Sequence, residues 1–408
     1  MAESGKAEAG RKKKDGKARP PAPAGIDFLA SHGGPFFDLQ AQLSLLKQNS
    51  LQVGRRAVLF VAIAWAVPFF LGLPDSLSLA PVGRTYLTDL TVWARFFIAI
   101  AAFVLAEQQV ERGLHVKLDQ FMQAPLIAPE AMPAAMRAVA AALRQRDWRN
   151  AELVCLLIAA LVAVLSYVNL HESHVASWAV RTGPDGDRLT LAGWWTILVS
   201  YPLFVFLFLR GLWRHFVWTR LMRRIADLDL RLVASHPDGK GGLAFLAEYP
   251  NAYTLFVFGI SSVVAAALAK HSLLASLSLN TFTLVVSGWL VIVVALFAYP
   301  LSAFSVPLMR MKQAGLLLLS TQATRYHRAA ERKLLGRNVI AEDPDEAGEE
   351  VADPSKQFDV TRKLSTMLIS RAAIVPLAGA ALLPFVVVVA TRLPFKEVWS
   401  VVKKLLLL

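Results

Sequence analysis

The chain has one cysteine, eight histidines and seven tyrosines among 408 residues, and only 18% of its residues are charged. A lone Cys155 rules out an intramolecular disulfide, so no oxidised framework supports the fold; lying inside an apolar run, it reads as a small lipid-facing or packed residue. The shortage of charge goes with 55% hydrophobic residues and a mean hydropathy of +0.47, which excludes the usual balance of a soluble globular enzyme. No secretory signal is recognised, because the first apolar run starts beyond residue 50 and lacks a cleavage pattern. Asp and Glu are missing from the middle of the apolar runs, which speaks against ordinary proton- or cation-coupled transport, where such groups carry the coupling.

What the sequence does have is apolar runs near the ~20 residues that a helix needs to cross the hydrocarbon layer. Candidate spans are Ala57 to Leu73, Val92 to Leu105, Leu153 to Leu170, Gly193 to Leu209, Ala252 to Ala269, Thr281 to Tyr299 and Ala372 to Ala390. The second begins earlier, near Leu87, with the stem of Arg95 snorkelling to the outer interface. The fold class predicted is all-α: a polytopic transmembrane bundle of six clear spans plus a seventh segment that Pro376 and Pro384 break. A full crossing by that segment sends Arg392, Lys396, Lys403 and Lys404 outside, whereas a re-entrant one keeps them inside.

Lys plus Arg number 10 before the first span, then 1, 6, 2, 7, 1 and 11 in successive connections. This alternation marks the rich segments as untranslocated and places the N-terminus in the cytoplasm, so the net charge of +13 reflects membrane topology and not a nucleic-acid partner. Trp93, Trp194 and Trp195 are then expected at the outer interface, and Trp148, Tyr249, Tyr253 and Tyr299 at the inner one. Bacterial composition and this topology together predict the inner membrane.

Outside the bilayer, residues 1–34, with RKKK at Arg11 to Lys14, form a disordered basic tail. Residues 35–56 contain Phe36, Phe37, Leu39, Leu43, Leu45 and Leu46, an amphipathic stretch suited to lie along the inner surface. The membrane domain covers 57–300, with a cytoplasmic loop at 210–251, and an Ala-rich helix runs from Pro133 to Arg149. A cytoplasmic helix occupies 301–337 and stops at Gly336. An acidic linker at 338–360 holds seven carboxylates from Glu342 to Asp353 and is read as solvated, or else as a docking strip for the basic helix beside it. The seventh segment and a C-terminal interfacial helix, with Phe395, Val398, Trp399, Val402 and Leu405 on one face, complete 361–408.

The densest candidate site lies in the loop RLMRRIADLDLRLVASHPDGKGGLAFL, Arg220 to Leu246. Its first half continues the fourth span as a helix, on which Asp227 falls four residues from both Arg223 and Arg231 and can pair with either. Asp227, Asp229 and Arg231 lead into a turn with His236, Asp238 and Lys240 before Gly241 and Gly242. Turning the chain back into the membrane is one reading of that turn. In a functional reading His236 accepts a proton, Asp238 orients it or holds a cation, and Lys240 with backbone N–H groups receives an anion. The spacing is not that of a phosphate-binding loop. HESH, His171 to His174, offers two imidazoles three residues apart but lacks a third nearby, and no metal or other cofactor is expected.

His236-Pro237-Asp238 is similar to the tripeptide signature of J-domain co-chaperones, although no aromatic-patterned partner helix precedes it. HPDGKGGL, His236 to Leu243, together with PLMRMKQAGLLLL from Pro307 and PLAGAALLPF, resembles a group of bacterial multi-pass membrane proteins carrying a cytoplasmic HPDxxGGL loop; the resemblance spans roughly the second half of the chain and implies location and architecture without a reaction. The leading expectation is a non-enzymatic inner-membrane scaffold or sensor whose partners are anionic lipid headgroups, a second copy or another membrane protein. The alternatives are a channel or uncoupled transporter with hydroxyl-lined helices, and a membrane enzyme acting on headgroups or phosphates through the loop.

Overall fold

Apolar segments that must satisfy every backbone N–H and C=O without water do so as helices, and helices account for almost all of the regular structure. A computed structural model describes residues 30–46, 51–76, 86–172, 178–183, 186–274, 279–340 and 352–390. Helix α1 is Pro35–Gln42, α2 is Val53–Leu73 and α3 is Leu90–Gln123. Then follow α4, Met132–Arg146, α5, Arg149–Glu172, and α6, Leu191–Ala226. The second half holds α7, Thr254–Leu274, α8, Leu279–Ser302, α9, Ser305–Leu335, α10, Ser355–Lys363, and α11, Arg371–Ala390. A short antiparallel hairpin, β1 Val180–Gly183 and β2 Gly186–Leu189, joins α5 to α6.

Seven stretches among the described residues are long and apolar enough to cross a bilayer, each overlapping one of the seven expected spans. The chain is therefore a polytopic helical bundle. Local chemistry marks several boundaries. The Asp89 carboxylate receives the Thr91 N–H at 2.9 Å where α3 begins, and the Thr190 hydroxyl receives the Gly193 N–H at 3.0 Å at the start of α6. Gly336 ends α9 in the left-handed conformation, φ +76°, that a side chain resists.

Three of the spans are locally unwound to π-helix, at Ala62–Ala66, Trp93–Ala99 and Thr196–Ser200. Widened turns leave carbonyls without their usual partners, and here neighbouring side chains take them. The Ser200 hydroxyl donates to Ala64 O at 2.7 Å, the Trp195 indole to Ile63 O at 2.9 Å, and the Tyr86 hydroxyl to Trp65 O at 2.8 Å. The helices thereby approach closely at one end of the bundle.

Elsewhere small residues set the spacing. A Cβ on Gly211 would lie 2.4 Å from Phe256 of α7, and one on Gly113 would lie 2.5 Å from Ala252 in the turn just before it, so α6 and α3 approach there where no larger residue fits. The Ala-rich α4 buries Ala135, Ala138, Val139 and Ala142 against α6 instead of lying on a surface.

Several expectations need correction. Pro376 and Pro384 do not break the seventh segment; both lie inside the continuous α11, which packs on α7 and α8, and Asn251 Nδ2 donates at 3.4 Å to Ala372 O, the carbonyl that Pro376 leaves free. Tyr249 and Tyr253 are 1% and 2% exposed and belong to the core, not to an interfacial belt. Arg95 does not snorkel freely but donates to the Tyr201 hydroxyl at 2.7 Å. In the stretch after residue 34, Phe36 inserts between Phe60 and Phe206, while Leu39 and Leu43 stay exposed. Ala30 to Gly34 are placed as well, with Ser31 2% exposed, because buried charges below them need its hydrogen bonds. The RKKK tail, residues 341–351 of the acidic linker and the C-terminal interfacial helix lie outside the described residues, and α10 takes up the end of that linker.

Gly211→Leu is expected to destabilise the bundle by about 1–3 kcal/mol through overpacking, read as a lowered Tm in detergent. Gly54→Ala, where a Cβ meets nothing within 4 Å, should leave Tm unchanged or raise it.

Candidate functional site

The loop at 227–246 divides into two parts that do different things. Helix α6 stops at Ala226, so Asp227 and Arg231 never share a helical face, and Arg223 lies with its guanidinium 4.0 Å above the Tyr299 ring. Beyond Asp227 the chain runs extended. Arg231 N–H donates to Leu126 O at 2.7 Å, Ala128 N–H donates to Asp229 O at 3.3 Å, and Ile127 pairs with Leu230 as a single antiparallel bridge. Asp227, Asp229 and Arg231 are exposed, and what the last two contribute to the fold is backbone.

His236, Asp238 and Lys240 are brought together, in a turn held from within. Asp238 Oδ1 accepts the N–H of Lys240 at 2.8 Å and of Gly242 at 3.1 Å, Oδ2 accepts that of Ala244 at 3.0 Å, and His236 Nδ1 lies 2.8 Å from Oδ1. Gly241 and Gly242 have φ of +66° and +96°, which permits the backbone to curl round one carboxylate. Partial burial works to raise the Asp238 pKa, and the hydrogen bonds from Lys240, Ala244, Gly242 and His236 outweigh it, leaving the carboxyl below its ordinary value. Lys240 is held below the usual lysine value by partial burial, against the opposing charge of Asp238.

The turn grips another part of the chain. Lys240 Nζ donates to Ile369 O at 3.2 Å and Ser365 N–H to Gly239 O at 2.9 Å, while Lys312 Nζ of α9 donates to Leu364 O at 2.8 Å. The loop thus fastens the segment that leads into α11. Lys240 is engaged in that fastening, while Asp238 and His236 hold the turn itself.

The group that sequence reasoning missed lies at the ends of four apolar runs. Arg56 is adjacent to the expected first span, Glu107 falls just past the second, Glu152 just before the third and Arg210 just after the fourth. All four converge. Glu107 Oε2 sits 2.7 Å from the Arg56 guanidinium and Oε1 2.6 Å from that of Arg210, which also reaches Glu152 Oε1 at 2.9 Å. Arg214, one turn further along α6, lies 3.5 Å from Glu107 and donates to Ser31 O at 2.8 Å. Arg56, Arg210 and Arg214 are 1%, 3% and 9% exposed, so these charges turn into the bundle and not toward headgroups.

The segment around α1 closes the cluster. Phe36 N–H donates to Glu152 Oε2 at 2.7 Å, Ser31 N–H to Glu111 Oε2 at 3.0 Å and the Ser31 hydroxyl to Glu107 O at 2.6 Å; Gln40 accepts from Arg56. The available signal in the sequence was the placement of one ionisable residue at the same end of four successive apolar runs, two cations and two carboxylates that balance.

Among the described residues no group of three or more His, Cys, Asp or Glu is arranged to hold a metal; the HESH side chains lie outside the described residues. Known protein families, curated proteins and solved structures show no match to this chain.

Glu107→Gln leaves buried guanidinium groups without compensation and is expected to cost about 3–5 kcal/mol, measurable as loss of folded material in a thermal or denaturant titration. For Asp238 the folded pKa is lowered, so its contribution is complete above the free carboxyl value of roughly 3.9 and disappears as pH falls through the folded value. Below about pH 4 the wild-type chain should lose stability more steeply than Asp238→Asn, which has no proton to take up.

Proposed function

We propose that this chain is a non-enzymatic scaffold or sensor of the bacterial inner membrane, with its N-terminus and the 227–246 loop in the cytoplasm, and that it works by presenting the arm made of α9 and α10. The seven apolar helices are compatible with an integral membrane protein, and the alternation of Lys and Arg between them supports the orientation. The HPDGKGGL turn supports a structural role because its carboxylate and ammonium are tied to backbone groups of the chain itself.

The observation that carries the reading is the arm. Helix α9 runs for 31 residues, about 46 Å at 1.5 Å per residue, and only Leu308 near its start is buried in the bundle. Beyond that point Leu317 and Leu318 are each 70% exposed and Leu334 is 84% exposed. Such side chains on a helix that leaves the core are suited to contact with another protein. Arg325, Arg332 and Lys333 sit among them, and this basic, apolar surface matches an acidic partner segment with an apolar face. Helix α10 lies along α9, its first turn held by the Asp353 carboxylate, which receives the Ser355 N–H at 2.9 Å.

Photo-crosslinking residues placed at Leu317 and Leu334 in cells should give discrete protein adducts, and Leu318→Lys should weaken the Leu317 adduct at least several-fold while membrane insertion is unchanged. Absence of any adduct at either position, with the protein folded and abundant, overturns the reading.

A further inference from the structure

Beside the buried ion cluster, α3, α6 and α7 leave a cavity of about 30 Å³, closed on one side by Ser31. Its polar lining is Ser31, Glu107, Arg210, Arg214 and Tyr253, set among apolar residues that include Phe103 and Phe256. About 10–15 Å³ suffices for one water, so the space admits a group somewhat larger than that.

Two features of the lining are incomplete. Among the described residues the Tyr253 hydroxyl, in a residue 2% exposed, has no hydrogen-bond partner, and it lies within electrostatic reach of the Arg214 guanidinium. A phenol in that position ordinarily finds a partner when buried. The second is charge. Arg56, Arg210 and Arg214 face only Glu107 and Glu152 within the cluster, and Arg214 is the least well matched, since its contact with Glu107 is 3.5 Å and its shorter bond goes to a neutral carbonyl. The next carboxylate, Glu111, stands at the rim and is engaged by Ser31 N–H and by His32 Nδ1 at 2.8 Å. An unmatched buried cation is costly and calls for a counter-charge. A water molecule satisfies the hydroxyl but leaves the charge; a small anion satisfies both.

We propose that this cavity binds one small monovalent anion of halide size, held by the Arg214 guanidinium and the Tyr253 hydroxyl beneath Ser31. The inference does not depend on the scaffold reading, which concerns the α9 arm. Polyatomic dianions such as sulfate exceed the space and the single surplus charge, so the site discriminates by size and by valence.

The test uses the full-length protein purified in detergent, with sodium gluconate replaced stepwise by sodium chloride at constant ionic strength and pH 7. Chloride should raise Tm saturably, by about 2–4 °C, bromide should act likewise, and sulfate should not. Tyr253→Phe keeps the shape of the core and removes only the hydroxyl. In gluconate it should unfold at or above the wild-type temperature, because an unpartnered buried hydroxyl has been deleted, while the chloride midpoint should move about tenfold higher. Broadening of the ³⁵Cl resonance by the wild-type protein, diminished in the variant, reads binding directly. Identical behaviour of the wild-type protein in gluconate and chloride, as water in the cavity requires, overturns the proposal. A chloride response that Tyr253→Phe leaves untouched overturns the assignment to this cavity.

Discussion

A charged side chain withdrawn from water into a helical bundle is tolerated only where an opposite charge and hydrogen bonds stand ready for it, and the architecture of this protein turns on how Glu107 meets that condition. Its two carboxylate oxygens reach guanidinium groups on α2 and α6, and the same Arg210 that it holds passes the connection on to Glu152 of α5. Four helices are thereby tied at one level. Arg56 and Glu152 precede their apolar runs and Glu107 and Arg210 follow theirs, so the tie joins the starts of two runs to the finishes of two others, which antiparallel neighbours bring side by side.

The same constraint explains why Ala30 to Gln42 dock. Carboxylates and guanidinium groups that satisfy one another still have unused hydrogen-bonding positions, and Ser31, Phe36 and Gln40 supply backbone and side-chain partners for them. Phe36 adds an apolar contact and lies under the Arg210 guanidinium, its ring centre 5.2 Å away. A segment with little to bury by itself becomes ordered because it completes a network that is otherwise half satisfied.

A second fastening acts on the other half of the chain by simpler means. Asp238 gathers three backbone N–H groups, and the turn it stabilises holds residues 364–369 and the flank of α9. In both places a carboxylate organises the fold, but Glu107 does so by ion pairing in a dry environment and Asp238 by collecting amide donors near solvent. The first is sensitive to loss of a partner, the second to protonation. The π-helical turns and the small residues Gly113 and Gly211 then let the helices close on one another.

Long apolar runs determined the seven apolar helices, because hydrocarbon admits helices and little else and because each run is long enough by itself. Gly336 stopping α9 was equally legible, since the requirement for φ above zero is local. The tertiary structure alone decided which way the boundary charges point. Arg56, Glu107, Glu152 and Arg210 read one at a time as residues seeking headgroups, and only the juxtaposition of four helices at one level gives each a partner worth turning inward for. Likewise Asp227 and Asp238 look alike as loop carboxylates; one is exposed and the other bound because hydrogen bonding depends on where the chain returns, which no spacing along the sequence records.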